Sequence, residues 1–152
     1  MQHIAIYLLK GFGDLNFGES SKVALAFFGE PDEKEELFDD LLNEKSLVYH
    51  YWEKGFSLFF KDDELKTFTC AEVDNKETLL FGKEIFLLNE NQIADLFKEN
   101  GFTLSETEQH AWGEKRLSFD EAFVDLYFEK GKLISINFCI PDYLPGMKLN
   151  LN

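Results

Sequence analysis

Histidine and cysteine, the residues that most often carry nucleophilic catalysis or bind transition metals, are scarce in this sequence. Its 152 residues include three His and two Cys. A catalytic nucleophile needs a neighbouring base, and neither His50, in an apolar run, nor His110, in a polar run, stands in such a setting. Zinc needs several converging ligands. The sequence therefore predicts no catalytic residue, no metal and no cofactor, and we expect a protein that is not an enzyme.

Long apolar runs are absent as well. No stretch approaches the roughly 20 apolar residues of a membrane-spanning helix. The opening MQHIAIYLLKG lacks the basic leader and small-residue cleavage site of a secretory signal. Cys70 and Cys139 each lie in an apolar run without paired spacing, so we interpret them as free, buried thiols, with a disulfide between them as the alternative. We expect a cytoplasmic protein without a membrane partner.

Positive charge is in short supply. Lys and Arg number 15 against 29 Asp and Glu, which gives a formal net charge of −14. Proteins that bind nucleic acid need a basic surface to displace counterions from the phosphates, so we expect no nucleic-acid partner. A basic protein is the natural complement, because the charge would steer its encounter with this chain. The alternative is that the acidity serves solubility alone.

Phenylalanine, by contrast, is abundant, with 17 Phe in a chain that is 45% hydrophobic. A Phe ring has no polar group, so most of these rings are expected to pack inside. A chain of this length can bury a substantial core. These features predict a globular protein.

Two segments 68 residues apart share one pattern. FSLFFKDDELKTFTC at 56–70 and VDLYFEKGKLISINF at 124–138 each contain two runs with alternating apolar residues, separated by a polar turn. Such alternation predicts antiparallel hairpins. LVYHYW at 47–52 and RLSFDE at 116–121 precede them at a similar offset. Each half is therefore predicted to end in a three-stranded meander.

A helix is predicted ahead of each meander. In the first half Ser20 or Ser21 caps the run KVALAFF, which Gly29 ends. In the second half Asn89 begins the helix, and Gln92 stands at the capping-box position. The predicted fold class is α+β, with two tandem helix plus three-stranded antiparallel meander units packed as one compact body.

No Pro-rich or Ser-rich linker divides the chain. We therefore expect residues 1–152 to form a single globular domain. Its internal halves are predicted at 1–73 and 79–140. The two prolines and the glycine of the C-terminal segment predict an extended tail at 141–152.

One acidic segment distinguishes the first half. Residues 32–45, DEKEELFDDLLNEK, are predicted to form an additional helix, because their apolar residues recur at helical spacing. Residues 30–45 contain eight acidic residues and two lysines, a net charge of −6. The matching stretch at 102–114 has no such period and is predicted as a loop. The acidic helix is either a binding surface or an ordinary solvated face.

Gly-Glu-Pro at 29–31, followed by the pattern EKGFSLFFKDDELKTF at 53–68, resembles the helix-plus-meander units of the beta-lactamase inhibitory protein superfamily. The resemblance covers residues 15–139 and includes the related outer-membrane assembly lipoproteins. A tandem pair of such units implies a protein that binds an enzyme across a concave sheet. The small, acidic profile is also similar to immunity proteins of bacterial contact-dependent growth inhibition systems, which implies a toxin as partner.

We therefore expect a protein-binding inhibitor, most concretely an immunity protein that neutralises a basic, nuclease-type bacterial toxin by occluding its active site. In isolation it is expected to be a monomer or a weak dimer. The alternative is a non-catalytic scaffold or small-ligand-binding module with an apolar pocket. The candidate partner-binding residues are acids of the predicted helix and hairpin turn and one tryptophan: Asp32, Glu33, Glu35, Glu36, Asp39, Asp40, Asp62, Asp63, Glu64 and Trp112.

Overall fold

The computed structural model describes residues 3–41 and 43–140, apart from the side chain of Asp39. Over this part of the chain the fold is mixed α and β, which confirms the predicted α+β class, and strands predominate. The tail predicted at 141–152 lies outside the described residues. The elements are β1 (Ala5–Tyr7), β2 (Gly11–Phe12), β3 (Leu15–Asn16), α1 (Ser21–Phe28), β4 (Glu33–Asp39), β5 (Glu44–Tyr51), β6 (Phe56–Lys61), β7 (Thr67–Val73), β8 (Leu79–Leu80), β9 (Lys83–Glu84), α2 (Glu90–Glu99), β10 (Glu106–Gln109), β11 (Glu114–Phe119), β12 (Val124–Glu129) and β13 (Lys132–Cys139).

The described strands form two sheets. The smaller has the order β3-β2-β1-β8-β9, in which β1 and β8 run parallel. The larger has eight strands in the order β10-β11-β12-β13-β7-β6-β5-β4, and all its neighbours are antiparallel. Strands β4 and β10 are therefore its two edges, and β7 meets β13 in the middle.

Aromatic rings fill the space between one face of the large sheet and the elements that cover it. Phe12 of β2 meets Phe56 of β6 edge to face, with 4.9 Å between ring centroids. Phe97 of α2 stacks on Phe119 of β11 at 4.2 Å. Each of these rings is at most 3% exposed. Such pairs contribute about 0.5–1.5 kcal/mol beyond the burial of their area, so the excess of phenylalanine serves the core.

The other face of the large sheet points away from this core. Side chains alternate along a strand, and in β5 Tyr49 and Tyr51 belong to the core while His50 lies on the opposite side. Trp52 follows β5 and stacks on His50 at 4.1 Å. His50 and Trp52 therefore lie on the side of the sheet opposite to Tyr49 and Tyr51. We call the side of the large sheet that carries His50 the open face.

Both helices begin where the sequence indicates. In α2 the Asn89 side chain accepts a hydrogen bond from the Gln92 amide at 2.8 Å, and the Gln92 side chain accepts one from the Asn89 amide at 2.9 Å. This confirms the predicted capping box. In α1 the cap residue is Ser20, although its side chain makes no cap hydrogen bond. Gly29 ends α1 with a φ of 81°.

The two predicted hairpins are confirmed as β6–β7 and β12–β13, and β5 and β11 are the strands expected before them. The prediction of three strands per meander is one strand short. An additional strand, β4 in one case and β10 in the other, pairs with the outer side of β5 or β11. Each run of antiparallel strands therefore has four members.

The acidic helix predicted at 32–45 is wrong. Residues Glu33–Asp39 form β4, which pairs with β5 in an unbroken register from Glu33 opposite His50 to Asp39 opposite Glu44. Of the apolar side chains at helical spacing, those of Leu37, Phe38 and Leu41 are exposed, at 41%, 54% and 96%, and Leu42 lies outside the described residues. Pairing with β5 overrides the local helical period, because a full ladder of backbone hydrogen bonds outweighs a weak propensity.

The loop predicted at 102–114 is also wrong in part, because it contains β10. This strand pairs with β11 from Glu106 opposite Ser118 to Gln109 opposite Lys115. All four of its residues are exposed. A strand without a buried face has no apolar alternation, so hydrophobic periodicity cannot reveal it.

The interpretation of Cys70 and Cys139 as free, buried thiols is wrong as well. The two residues lie opposite each other on β7 and β13 and form a disulfide, with 4.1 Å between their Cα atoms. Both are partly exposed, and their neighbours Ala71 and Phe138 point into the core. The cysteines are 69 positions apart in the sequence. Their proximity depends on the register between β13 and β7, which cysteine spacing does not show.

Candidate partner-binding surface

The acids expected on a helix lie instead on and beside the edge strand β4. Because β4 is extended, Glu33 and Glu35 project on the open face, while Glu36 projects on the other side. Asp32 and Asp40 flank the strand, and the side chain of Asp39 lies outside the described part of the chain. The described acids are all exposed. The structure therefore places five of the six predicted acids along one sheet edge, with side chains on both of its faces.

A hydrogen-bonded network connects β4 to the two strands behind it. Nε2 of His50 donates to Oε1 of Glu35 at 2.8 Å, since a carboxylate only accepts. Nδ1 of His50 lies 2.8 Å from Oγ of Ser57 on β6. Trp52 covers the imidazole and directs Nε1 towards Glu33 at 3.4 Å. Glu35 is thereby held in a fixed position on the open face.

The order Ser57, His50, Glu35 matches the order of groups in a hydrolytic triad, but its burial indicates another role. Ser57 is 7% exposed and His50 is 9% exposed, and Trp52 lies flat on the imidazole. A nucleophile must reach its substrate, and backbone amides within a ladder are already engaged and offer no oxyanion hole. We assign these residues to positioning β4 and Trp52.

The predicted turn acids lie at the same end of the sheet as Asp40. The amide of Asp62 donates to the carbonyl of Lys45, the second residue of β5, at 3.0 Å. Asp63 accepts hydrogen bonds from the amide and hydroxyl of Thr67 at 3.1 and 2.9 Å. Partial burial acts to raise the pKa of Asp63, but the bonds from Thr67 together hold this pKa below its ordinary value.

Asp62 has a cationic partner of its own. Its carboxylate pairs with the ammonium of Lys66, and this contact raises the pKa of Lys66. Glu64 is exposed at the tip of the same turn. Two of the three turn acids are therefore committed to local contacts that shape the β6–β7 turn.

Trp112 lies far from the β4 acids. It follows β10, at the other edge of the large sheet, and about seven strand spacings of 4.8 Å separate the two edges, or roughly 34 Å. Trp112 is 70% exposed and stacks on His110 at 4.2 Å. The structure thus does not bring Trp112 together with the other candidates.

Trp52 is the aromatic residue that sequence reasoning missed as a candidate. It is 59% exposed, and it lies beside Glu33 on the β4 side of the sheet. Aromatic side chains next to charged rims are common anchors of protein interfaces. The sequence contained a signal for an exposed Trp52, because His50 and Trp52 alternate along the chain with two tyrosines that lie in the core. We define the β4 surface as Asp32, Glu33, Glu35, Glu36, Asp40 and Trp52.

The opposite edge is acidic too, but its charges are paired. Nη2 of Arg116 lies 2.5 Å from Oε1 of Glu106 and 3.7 Å from Oε2 of Glu108. Nε2 of His110 lies 3.0 Å from Glu108, and Nη1 of Arg116 lies 3.8 Å from Asp125. The hydrogen bond that Arg116 donates to Glu106 raises the pKa of Arg116 despite partial burial. The two edges therefore differ in how much of their negative charge is available to a partner.

A groove of about 550 Å³ lies outside the core, beside β1 and the end of α1. Tyr7 and Phe27 line it as half-exposed rings, and Asp14 and Lys54 give it charged walls. Lys54 also donates to the carbonyl of Phe28 at 2.5 Å. The groove is partly polar, and the space between the two sheets is occupied by packed rings such as Phe12 and Phe56.

No protein-family model, curated protein or solved structure matches this chain. Among residues 3–41 and 43–140, no cluster of three or more His, Cys, Asp or Glu is arranged to hold a metal ion. In the same residues, none of the helices has the length and apolar character to cross a membrane.

Proposed function

We propose that this protein is a protein-binding inhibitor that uses the β4 surface to dock on a basic protein. In its most specific form, it is an immunity protein that neutralises a basic, nuclease-type bacterial toxin by occluding the active site. The observation that carries the proposal is the concentration of exposed acids along an edge strand beside the exposed Trp52. Charge would steer the encounter, and the aromatic ring would provide a desolvated anchor.

The electrostatics of the two edges favour β4 as the contact site. At β10 an arginine lies within reach of three carboxylates, whereas on the β4 surface Glu35 is held by an imidazole and Glu33 by an indole. A basic partner at β4 would therefore meet carboxylates that it need not first separate from an arginine. This lowers the desolvation cost of forming new pairs.

The test compares two triple variants of equal charge. Glu33→Lys, Glu36→Lys and Asp40→Lys reverse the β4 surface, while Glu84→Lys, Asp95→Lys and Glu99→Lys reverse exposed acids on β9 and α2. Tagged proteins are used to capture partners from a lysate of the source cells, with elution by salt and identification by mass spectrometry. We then measure the dissociation constant of the recovered protein for each variant.

We expect wild type and the second triple variant to recover the same basic protein, and the first triple variant to bind it at least roughly tenfold more weakly. Loss of binding in both variants would indicate general charge attraction and would remove β4 from the proposal. Recovery of no basic protein, with expression of the partner verified, would reject the inhibitor hypothesis.

A cytoplasmic location belongs to the same proposal, because an immunity protein must meet its toxin where the toxin acts. The disulfide between Cys70 and Cys139 bears on this point, since such bonds persist in oxidising compartments and are reduced in the cytoplasm. Alkylation of the protein in intact cells before lysis measures the thiol state. If the protein is cytoplasmic, as proposed, the disulfide of the structure is reduced in the cell and two alkylated cysteines are expected; a retained disulfide would place the protein in an oxidising compartment.

We also infer that the chain consists of two tandem units, each a helix followed by a meander. Strands β6 and β12 begin and end 68 positions apart, and bulges fall at Phe59/Phe60 and at Tyr127/Phe128. Co-expression of residues 1–76 and 77–152 as separate chains tests the inference. The halves are expected to assemble into one soluble complex, and failure to associate would count against two units.

The alternative, a small-ligand-binding module, is favoured by the groove beside β1. Its volume of about 550 Å³ falls within the range of small-molecule sites. A thermal-shift screen of aromatic carboxylic acids, with Phe27→Ala as the control variant, tests this reading. Stabilisation of the wild type that disappears in Phe27→Ala would support the module.

A further inference from the structure

Within residues 3–41 and 43–140, strand β4 leaves one row of backbone groups without a strand partner at the edge of the large sheet. Among the described strands it is hydrogen-bonded only to β5. The amide of Asp62 donates to the carbonyl of Lys45, so Lys45 directs its backbone groups towards β6. Antiparallel strands alternate in this respect, so Ser46, Val48 and His50 direct theirs towards β4. The bond from the Asp32 amide to the His50 carbonyl, 2.8 Å, agrees with this assignment.

The alternation identifies the free groups. Glu33, Glu35 and Leu37 stand opposite His50, Val48 and Ser46, and they use their amides and carbonyls to bind β5. Lys34, Glu36 and Phe38 therefore present theirs at the free edge. The edge offers three amides and three carbonyls in an extended strand of seven residues.

Side chains on both sides of this edge match a basic, partly apolar segment. An added strand would meet Glu33 and Glu35 on the open face and Glu36 on the other face. Leu37 is 41% exposed and Phe38 is 54% exposed, so each face also offers an apolar contact. Opposite charges across neighbouring strands contribute roughly 0.2–1 kcal/mol per pair.

A second copy of this chain fits the edge poorly. Antiparallel pairing of β4 with another β4 in full overlap would place Glu36 opposite Glu36 and Glu33 opposite Asp39 of the copy, and like charges directly opposite each other destabilise a sheet. Charged residues on an edge strand are a common defence against such self-association. The edge therefore selects for a segment of the opposite charge.

The edge at β10 lacks this combination. It has four residues against seven in β4. Its glutamates Glu106 and Glu108 pair with Arg116 and His110. It carries no large apolar side chain, since its sequence is ETEQ. Strand β10 therefore serves as an internal control for β4, because it is an acidic edge strand without the length and the apolar side chains of β4.

We propose that β4 receives an extended basic segment of the protein partner as a ninth strand of the large sheet. The inference rests on the proposed function and specifies how the partner is held. Backbone hydrogen bonds to Lys34, Glu36 and Phe38 supply the register, and alternate basic side chains, which share one face of the added strand, pair with Glu33 and Glu35 on the open face. Trp52 closes the open-face side of the same contact. Addition of a strand to a free edge is a recognised mode of peptide binding.

The test uses a synthetic peptide of seven residues that alternates lysine and valine, with capped ends. A peptide of identical composition with all its lysines before its valines controls for charge. Amide hydrogen exchange by NMR is the readout. The alternating peptide is expected to slow exchange at Lys34, Glu36 and Phe38 at least tenfold, with no comparable change in β10.

The decisive protein variants are Lys34→Pro and Lys34→Ala. Both remove the same positive charge, together with its ion pair to Glu30 and its contact with the Tyr49 ring. Only Lys34→Pro removes a free-edge amide, and proline is tolerated on an edge strand where no ladder bond is lost. We expect Lys34→Ala to bind the peptide as well as wild type or better, and Lys34→Pro to bind at least tenfold more weakly.

A peptide N-methylated at alternate amides repeats the test on unaltered protein, in case Lys34→Pro disturbs folding. Equal binding of the two Lys34 variants and of the methylated peptide would overturn strand addition. Loss of strand addition, with the natural partner still sensitive to Glu33→Lys and Glu36→Lys, would leave the proposed inhibitor function intact. Failure of any basic protein to bind would instead reject the proposed function itself.

Discussion

Cys70 and Cys139 face each other across the one strand pair that joins the first and second runs of antiparallel strands in the large sheet. The amide of Ile140 donates to the carbonyl of Thr69 at 2.8 Å, next to the cysteines. The cysteines thus occupy a non-hydrogen-bonded pair, in which side chains approach most closely. The bond is a covalent clamp at the centre of the sheet.

Removal of this clamp is expected to destabilise the oxidised protein. Closing a loop between residues 69 positions apart contributes about 4 kcal/mol in the chain-entropy model. We expect the double variant Cys70→Ser/Cys139→Ser to have a free energy of unfolding lower than that of the oxidised wild type by about that amount, as measured by urea denaturation. Dithiothreitol should reproduce the loss in the wild type and have no effect on the double variant. Equal stability of all forms would show that the strand pairing alone suffices.

The network of His50 predicts coupling between β5 and β6. His50→Leu leaves the Ser57 hydroxyl and the Glu35 carboxylate without their imidazole partner, and an unmet buried polar group costs about 1–3 kcal/mol. Ser57→Ala in the same background gives a double-mutant cycle. We expect a coupling energy of about 0.5–3 kcal/mol. Strict additivity would contradict the hydrogen bond between these side chains.

Tyr51 is expected to ionise well above an ordinary tyrosine. Burial, assisted by the charges of Tyr49 and Glu30, raises the pKa of Tyr51 to about 12, and its hydroxyl donates to the Gly29 carbonyl at 2.9 Å. The native state keeps this proton where the unfolded chain, with a pKa near 10, loses it. The resulting stabilisation is complete below pH 10 and disappears as the pH rises through 12. Absorbance at 295 nm should show a late transition that is absent from Tyr51→Phe.

Gly11 is required by the close approach of β2 and β3. A Cβ atom at this position would lie 2.2 Å from the carbonyl oxygen of Leu15 and 2.8 Å from the Cα of Asn16. Backbone atoms cannot move aside without opening the hairpin, so Gly11→Ala should cost about 1–3 kcal/mol. Gly18→Ala is the comparison for backbone strain without a steric clash, since Gly18 has a φ of 94° but a Cβ there has no neighbour within 4 Å. Only Gly11→Ala should speed hydrogen exchange in β2 and β3.

The fluorescence of the two exposed tryptophans reports which edge of the large sheet a partner contacts. Trp52 and Trp112 each stack on a histidine two positions earlier, but they lie at opposite edges of the large sheet. If the β4 surface binds the partner, Trp52→Phe abolishes the fluorescence change on binding and costs about 2 kcal/mol. Trp112→Phe should leave both unchanged. The reverse result would move the interface to the β10 edge.

The elements predicted with success are those whose signal is local. Asn89 and Gln92 lie three positions apart, and the side chain of each accepts a hydrogen bond from the backbone amide of the other. Residues within a single helical turn therefore determine where α2 begins. In β6 and β12 alternate side chains meet one core, and the alternation in sequence follows directly.

The failures concern elements whose state is set by distant residues. Leu37 and Phe38 suit a helix by spacing, but β5 provides a complete ladder for the same residues. Glu106 and Glu108 show no period because β10 buries neither face. At the candidate site, the acidic run in the sequence was enough to locate the acids. The sequence did not indicate Trp52 as a candidate, because the proximity of Trp52 to Glu33 depends on the register between β4 and β5.

The pairing of β7 with β13, and of β1 with β8, has a consequence for synthesis. When the ribosome has completed β7, neither β1 nor β7 has its second-half neighbour, and both present open edges. At 5–20 residues per second, roughly 3–13 s pass before β13 is complete. During that interval the open edges of β1 and β7 can pair with strands of other nascent chains on the same messenger RNA. The risk of aggregation through these two edges is therefore greater during synthesis than in the folded protein. Slow translation of the second half would increase this risk.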